Sequence, residues 1–126
     1  MRVLVMVKAT EASETGSTPP EWTATMMAAM GQFNDELAAA GVLVMGAGLT
    51  PSTHGRRVVF EGAARTVIAG PFAPAREQVA GFWLWEVRDI DEAVAWVKRC
   101  PNPMPGPSVI EIRPFDAPVA EASRRI

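Results

Sequence analysis

The stretch Ala69-Gly-Pro-Phe-Ala-Pro-Ala-Arg-Glu-Gln-Val-Ala-Gly-Phe-Trp83 closes one apolar run and opens another. Gly70-Pro71 stops the first run, because proline has no ladder donor and turns the residue before it away from helix. Pro74 stiffens the exit, and a polar connector carrying Arg76 and Glu77 leads to the second run at Gly81. Gly70 and Gly81 can take backbone angles closed to other residues, or let another segment approach closely.

Downstream, Phe82 to Arg88 reads as a strand with Trp83, Trp85 and Val87 on one face and Phe82, Leu84, Glu86 and Arg88 on the other. Upstream, Arg56 to Glu61 and Arg65 to Ala69 flank Gly62-Ala-Ala and predict a hairpin. Val3 to Val7 has no polar interruption, the pattern of a strand buried on both faces. Val42 to Met45 reads as a second buried strand that ends in a turn at Gly46-Ala-Gly48. The glycines there belong to no phosphate-binding pattern.

Ala9 to Ser17 has loop composition, and Thr18-Pro19-Pro20-Glu21 predicts a helix start with Thr18 as cap, Pro19 at the first helical position and Glu21 completing a capping box. Trp22, Met26, Met30, Phe33, Leu37 and Ala40 form one helical stripe, expected to be core, and Gly41 ends it as a left-handed cap. Asp35 and Glu36 fall on the polar face. Asp89-Ile-Asp-Glu92 starts a second helix in the D-x-x-E manner, with Lys98 and Arg99 in its last turn. Four prolines between 101 and 107 make a stiff crossing to a final strand, Ser108 to Arg113. From about Asp116 to residue 126 the chain reads as a polar tail.

At 126 residues the chain is one domain, 1–126, with a single core. Twelve basic against fourteen acidic residues leave a net charge of −2 and no dominant basic patch, which argues against nucleic acid and anionic membrane as partners. The opening residues are too short for a signal segment and no run approaches the ~20 apolar residues of a membrane span, so a cytoplasmic protein is expected. The single cysteine, Cys100, excludes an internal disulfide.

Gly70, Pro71, Phe72, Ala73, Glu77, Gly81 and Phe82 match the pattern D-G-P-F-A-E-T-K-E-x-x-x-G-[FY], so the chain resembles the YCII-related (DGPF-domain) family. Ala69 replaces the aspartate of that pattern and Arg76 its lysine. The element order independently predicts an α+β fold: a ferredoxin-like sheet with two helices on one face. Apolar side chains on both faces of the Phe82–Val87 strand then leave one face uncovered, and a second copy of the chain is the economical cover. The resemblance implies the same homodimer, a dimeric α+β barrel with a cleft in or beside the shared sheet interface.

His54 is the only histidine, and a lone loop histidine is more often solvated than catalytic. Relatives often show G-E-G-L-H-P-S where this chain has Gly46-Ala-Gly-Leu-Thr-Pro-Ser52, so Ala47 and Thr50 stand in place of the family's acid and histidine. His54 and Glu77 remain as candidate catalytic groups. Arg76, Phe72, Trp83 and Trp85 are candidate ligand-binding residues, with Arg76 and Glu77 equally readable as a surface ion pair. Cys100 beside Lys98 and Arg99 could have a lowered pKa, or those cations could simply suit the helix dipole. One His and one Cys cannot build a zinc site within one chain, and neither metal nor cofactor is expected. Two functions follow. One is an apolar small-molecule-binding dimer whose ligand is unknown. The other is a lyase, isomerase or cyclase-like enzyme using acid–base groups in the cleft, a class that the dehydrochlorinase-like activity in the family makes plausible.

Overall fold

The computed structural model describes residues 1–116; the expected polar tail lies outside them from residue 117. The described elements are β1 (Arg2–Lys8), α1 (Glu11–Thr15), α2 (Pro20–Ala39), β2 (Leu43–Gly48), β3 (Arg56–Glu61), β4 (Ala64–Ala69), β5 (Val79–Glu86), α3 (Ile90–Arg99) and β6 (Ile110–Pro114). β2, β5, β1 and β6 form one antiparallel sheet in that order, and β3 pairs with β4 in a separate hairpin. With the hairpin set aside, this is the ferredoxin-like α+β arrangement that the element order predicts. No helix among the described residues is long and apolar enough to cross a membrane.

Residues opposite one another in the register share a face, so Val5 pairs with Trp83 and Ile112, and Val3 with Trp85. That face is the core. Val3, Val5, Val7, Trp83, Trp85 and Val87 are buried there against Phe33 and Leu37 of α2 and Ala93 of α3. The Phe33 ring meets Trp83, Trp85 and Trp96 edge to face at 6.0, 6.3 and 6.2 Å, a geometry aromatic quadrupoles favour. Trp85 is fully enclosed, and its indole Nε1 is the buried side-chain donor without a partner among the described residues.

Two expectations about burial change. Val3 to Val7 was expected to be covered on both faces, but β1 alternates, with Leu4 and Met6 half-exposed. Leu84 and Phe82 lie opposite them on the same open face. β2 is an edge strand rather than an inner one and runs on through Gly46–Gly48 instead of turning there. Gly46 has a packing reason to lack a side chain: a Cβ there would fall 2.7 Å from the Trp83 ring.

The segment expected as a loop, Ala9 to Ser17, contains the short helix α1. Thr10 and Ser13 cap each other's backbone N–H, and Gly16 closes the turn at φ +68°. Without an apolar stripe, one turn of helix gives no periodic signal. The Thr18–Glu21 capping box does not form. Pro19 is the cap residue, with no side-chain cap bond, and the Thr18 hydroxyl accepts from Thr23 instead. Gly41 ends α2's turn at φ +73°, as expected.

In α3, Asp89 accepts the Glu92 N–H at 2.9 Å, and the Glu92 carboxylate accepts the Arg88 N–H at 2.7 Å. That backbone donor, helped by the Trp96 indole and the Arg88 side chain, holds the Glu92 carboxyl below its ordinary range. Burial pushes the Cys100 thiol up to about 11, the opposite of the lowering that Lys98 and Arg99 suggested.

Candidate functional site

The joint quoted at the outset is stitched to the loop after β2. Ser52 is the hub. Its hydroxyl donates to the Glu14 carboxylate, its N–H donates to the same carboxylate at 2.8 Å, and its Oγ accepts the Phe72 N–H at 2.9 Å. Gly70 lies so close to Ser52 that a Cβ would sit 1.8 Å from the Ser52 carbonyl oxygen. Its requirement is close approach rather than positive φ, which it does not have. The Gly70-Pro71 and Ala73-Pro74 bonds are cis. Glu14 carries no local sequence signal for this role, because one turn of helix has no periodic pattern and 38 residues separate it from Ser52.

His54 and Phe72 border one shallow groove with Glu14, Ser52 and Gln78. His54 is exposed and makes no side-chain hydrogen bond among the described residues. The Arg57 guanidinium covers the Phe72 ring at 4.0 Å. Arg76 borders a different groove of about 400 Å³, with Lys8, Glu11, Ser108 and Glu111. Arg76 and Glu77 do not form the ion pair considered for them; the Glu77 backbone N–H donates to the Pro74 carbonyl at 3.1 Å and its carbonyl accepts from Lys8 Nζ at 3.5 Å. His54 and Phe72 thus share one groove, Arg76 borders another, and Glu77 lines neither. Trp85 borders neither, being enclosed in the core.

Trp83 is the candidate that meets a cavity. About 380 Å³ opens between α2 and the β2–β5 edge, lined by Val7, Met26, Met30, Asn34, Trp83 and Met104 together with residues 46–48, 80–82 and Pro103. This is the helix-covered side of the sheet, not its open face. The stripe on α2 divides accordingly: Phe33 and Leu37 enter the core, while Met26 and Met30 line the cavity, Ala40 remaining exposed. Met104 arrives from the proline-rich crossing, held by its N–H donating to Asn102 Oδ1 at 3.0 Å. The Trp83 indole donates to Asn34 Oδ1 at 2.8 Å. A second depression of about 260 Å³ continues past Met26 and Met104 toward Trp22, Leu49 and Thr50. Nothing in the periodicity separates cavity-lining Met26 and Met30 from core-facing Phe33 and Leu37, since all four lie on one helical face. Among the described residues no three His, Cys, Asp or Glu side chains gather to hold a metal.

A family model, the YCII-related domain, matches residues 1–116. The chain belongs to the YCII-related family. It is also 33% identical over 76 residues, 60% of its length, to an uncharacterised protein of Rhizobium meliloti (strain 1021). The match spans about three-fifths of that relative, 61%. Within the YCII-related domain, Ala47 lies on β2 opposite Phe82 and Thr50 borders the His54 groove. Ala69 ends β4 opposite Arg56, immediately before the Gly70 contact. Ala47, Thr50 and Ala69 therefore bring no titratable side chain to these surfaces.

Proposed function

We propose that this protein binds a small, mostly apolar molecule in the cavity between α2 and the β2–β5 edge. The observation that carries this reading is the lining: three methionines and Trp83, with no charged side chain. Methionine is flexible and polarizable, suited to an adaptable apolar site, and the volume falls within the ~300–1,000 Å³ of ligand pockets. The lyase, isomerase or cyclase alternative needs a titratable group within hydrogen-bond reach of the substrate. None lines this cavity, and His54, Glu77 and Arg76 lie elsewhere. Thermal-shift screening of small apolar compounds tests the binding reading. Hits should be saturable and lost in Met26→Trp, which fills the cavity; hits unaffected by that variant would reject the site. A measured turnover abolished by His54→Ala would favour the enzyme.

We also infer a homodimer. Leu4, Met6, Phe82 and Leu84 present a half-exposed apolar sheet face, and Met45 beside them is 47% exposed. The hairpin carries its own apolar surface and, with three arginines and one glutamate, a charge of +2, against −4 for the rest of the chain. A second copy supplies both an apolar face and the opposite charge. Light scattering across a dilution series should give twice the 13.5 kDa chain mass; a monomer at every concentration rejects the dimer.

A further inference from the structure

Asn34 brings an unused donor to the methionine-lined cavity. An indole N–H can only donate, so the Asn34 atom 2.8 Å from Trp83 Nε1 must be its oxygen. The amide nitrogen is thereby turned away from the indole, and its two N–H groups have no protein partner among the described residues. Asn34 is half-buried and is the sole side chain in the lining able to donate a conventional hydrogen bond besides Trp83, whose N–H is already used. A ligand that displaces water from that amide must offer an acceptor, or leave the donor unsatisfied. It must also be neutral, because no charged side chain borders the cavity to compensate a buried charge.

Shape follows from the walls. Gly46, Gly48 and Gly81 give one wall little but backbone, and the Trp83 ring packs so close to Gly46 that a Cβ there would fall 2.7 Å from it. Met26, Met30 and Met104 face the space, and thioether sulfur contacts aromatic rings favourably. The volume of about 380 Å³ lies at the small end of ligand sites. We propose that the ligand class is a neutral, flat aromatic molecule of one or two rings bearing a carbonyl-type acceptor, which Asn34 holds through its amide nitrogen. This rests on the small-molecule reading above.

The test uses three probes of one shape: 2-acetylnaphthalene, 2-ethylnaphthalene and 2-naphthoate, titrated into the ¹⁵N-labelled full chain. The ketone should shift the Trp83 indole and Asn34 side-chain amide signals and bind about tenfold tighter than the hydrocarbon, the worth of one hydrogen bond to an otherwise unpaired donor. Naphthoate should bind weakest. Asn34→Asp keeps an acceptor for the indole and removes the donor, so the ketone's advantage over the hydrocarbon should vanish; Asn34→Leu should erase it too, should the aspartate variant fail to fold. Ketone and hydrocarbon binding equally, naphthoate binding best, or an advantage that survives both variants would overturn the proposal and leave the small-molecule reading standing. No binding by any of the three would overturn both.

Discussion

The four-stranded sheet and the β3–β4 hairpin are built from the same kinds of residue and end in opposite states. β1 and β5 bury every second side chain, while every residue of β3 and β4 is exposed, Phe60 by 70% and Val67 by 63%. In both, apolar residues occupy paired positions: Val5 opposite Trp83 in one, Val58 opposite Val67 in the other. What differs is the neighbour. The sheet has α2 and α3 against one face, whereas what ties the hairpin to the body lies at its base: the Phe72 N–H on Ser52 Oγ, Ser52 on Glu14, and Arg57 over Phe72. An isolated two-stranded hairpin is at best marginally stable in water. Strand pattern therefore states which residues can be buried, and only a packing partner makes them so.

The sharpest way to break this contrast is at the joint between the two regions. Gly70→Val must push the Ser52 backbone aside, since a Cβ at 1.8 Å cannot be accommodated. Its expected cost is more than about 4 kcal/mol, at the severe end for single substitutions, read from denaturant unfolding. An unchanged midpoint would mean that the hairpin's base can move freely relative to the body.

A matched pair of truncations measures the contrast itself. Leu37→Ala in the fully buried core should cost about 2–5 kcal/mol. Phe60→Ala on the hairpin should change the unfolding of dilute single chains by no more than about 0.5 kcal/mol, yet weaken association of chains if the hairpin clasps a second copy. Equal effects on unfolding would show that the hairpin packs against its own chain.

Inside the core, Trp83 and Trp85 separate packing from hydrogen bonding. Trp83→Phe removes the bond to Asn34, whereas Trp85→Phe removes an indole donor that has no partner. Trp83→Phe should be the more destabilising by roughly 1 kcal/mol in thermal or denaturant melts.

The smallest effect concerns α3. The Glu92 carboxyl is held below its ordinary range mainly by the Arg88 N–H, so its ionised form is favoured in the folded chain. Its contribution is present at neutral pH and is lost as pH falls through the lowered folded pKa. Wild type should exceed Glu92→Gln slightly in melting temperature near pH 7, and the gap should close on acidification below the ordinary carboxylate range. A gap independent of pH would assign the effect to capping geometry alone.

Local chemistry in the chain determined much of this protein. The ferredoxin-like order, the two faces of β5, the turn at Gly62, the end of α2 at Gly41 and the Asp89–Glu92 start of α3 follow from alternation, helical spacing and cap residues, all of which act within a few positions. The signature around Gly70-Pro71 likewise announced the family before any geometry. Tertiary structure alone decided the rest. It assigned β2 to an edge, opened a cavity beside Met26 and Met30, enclosed Trp85 and admitted Trp83 to that cavity, and joined Glu14 to Ser52. It also divided His54 from Arg76. The reason is physical: a side chain's periodicity fixes the direction in which it points, whereas burial, hydrogen-bond partners and empty space depend on what distant segments bring to meet it.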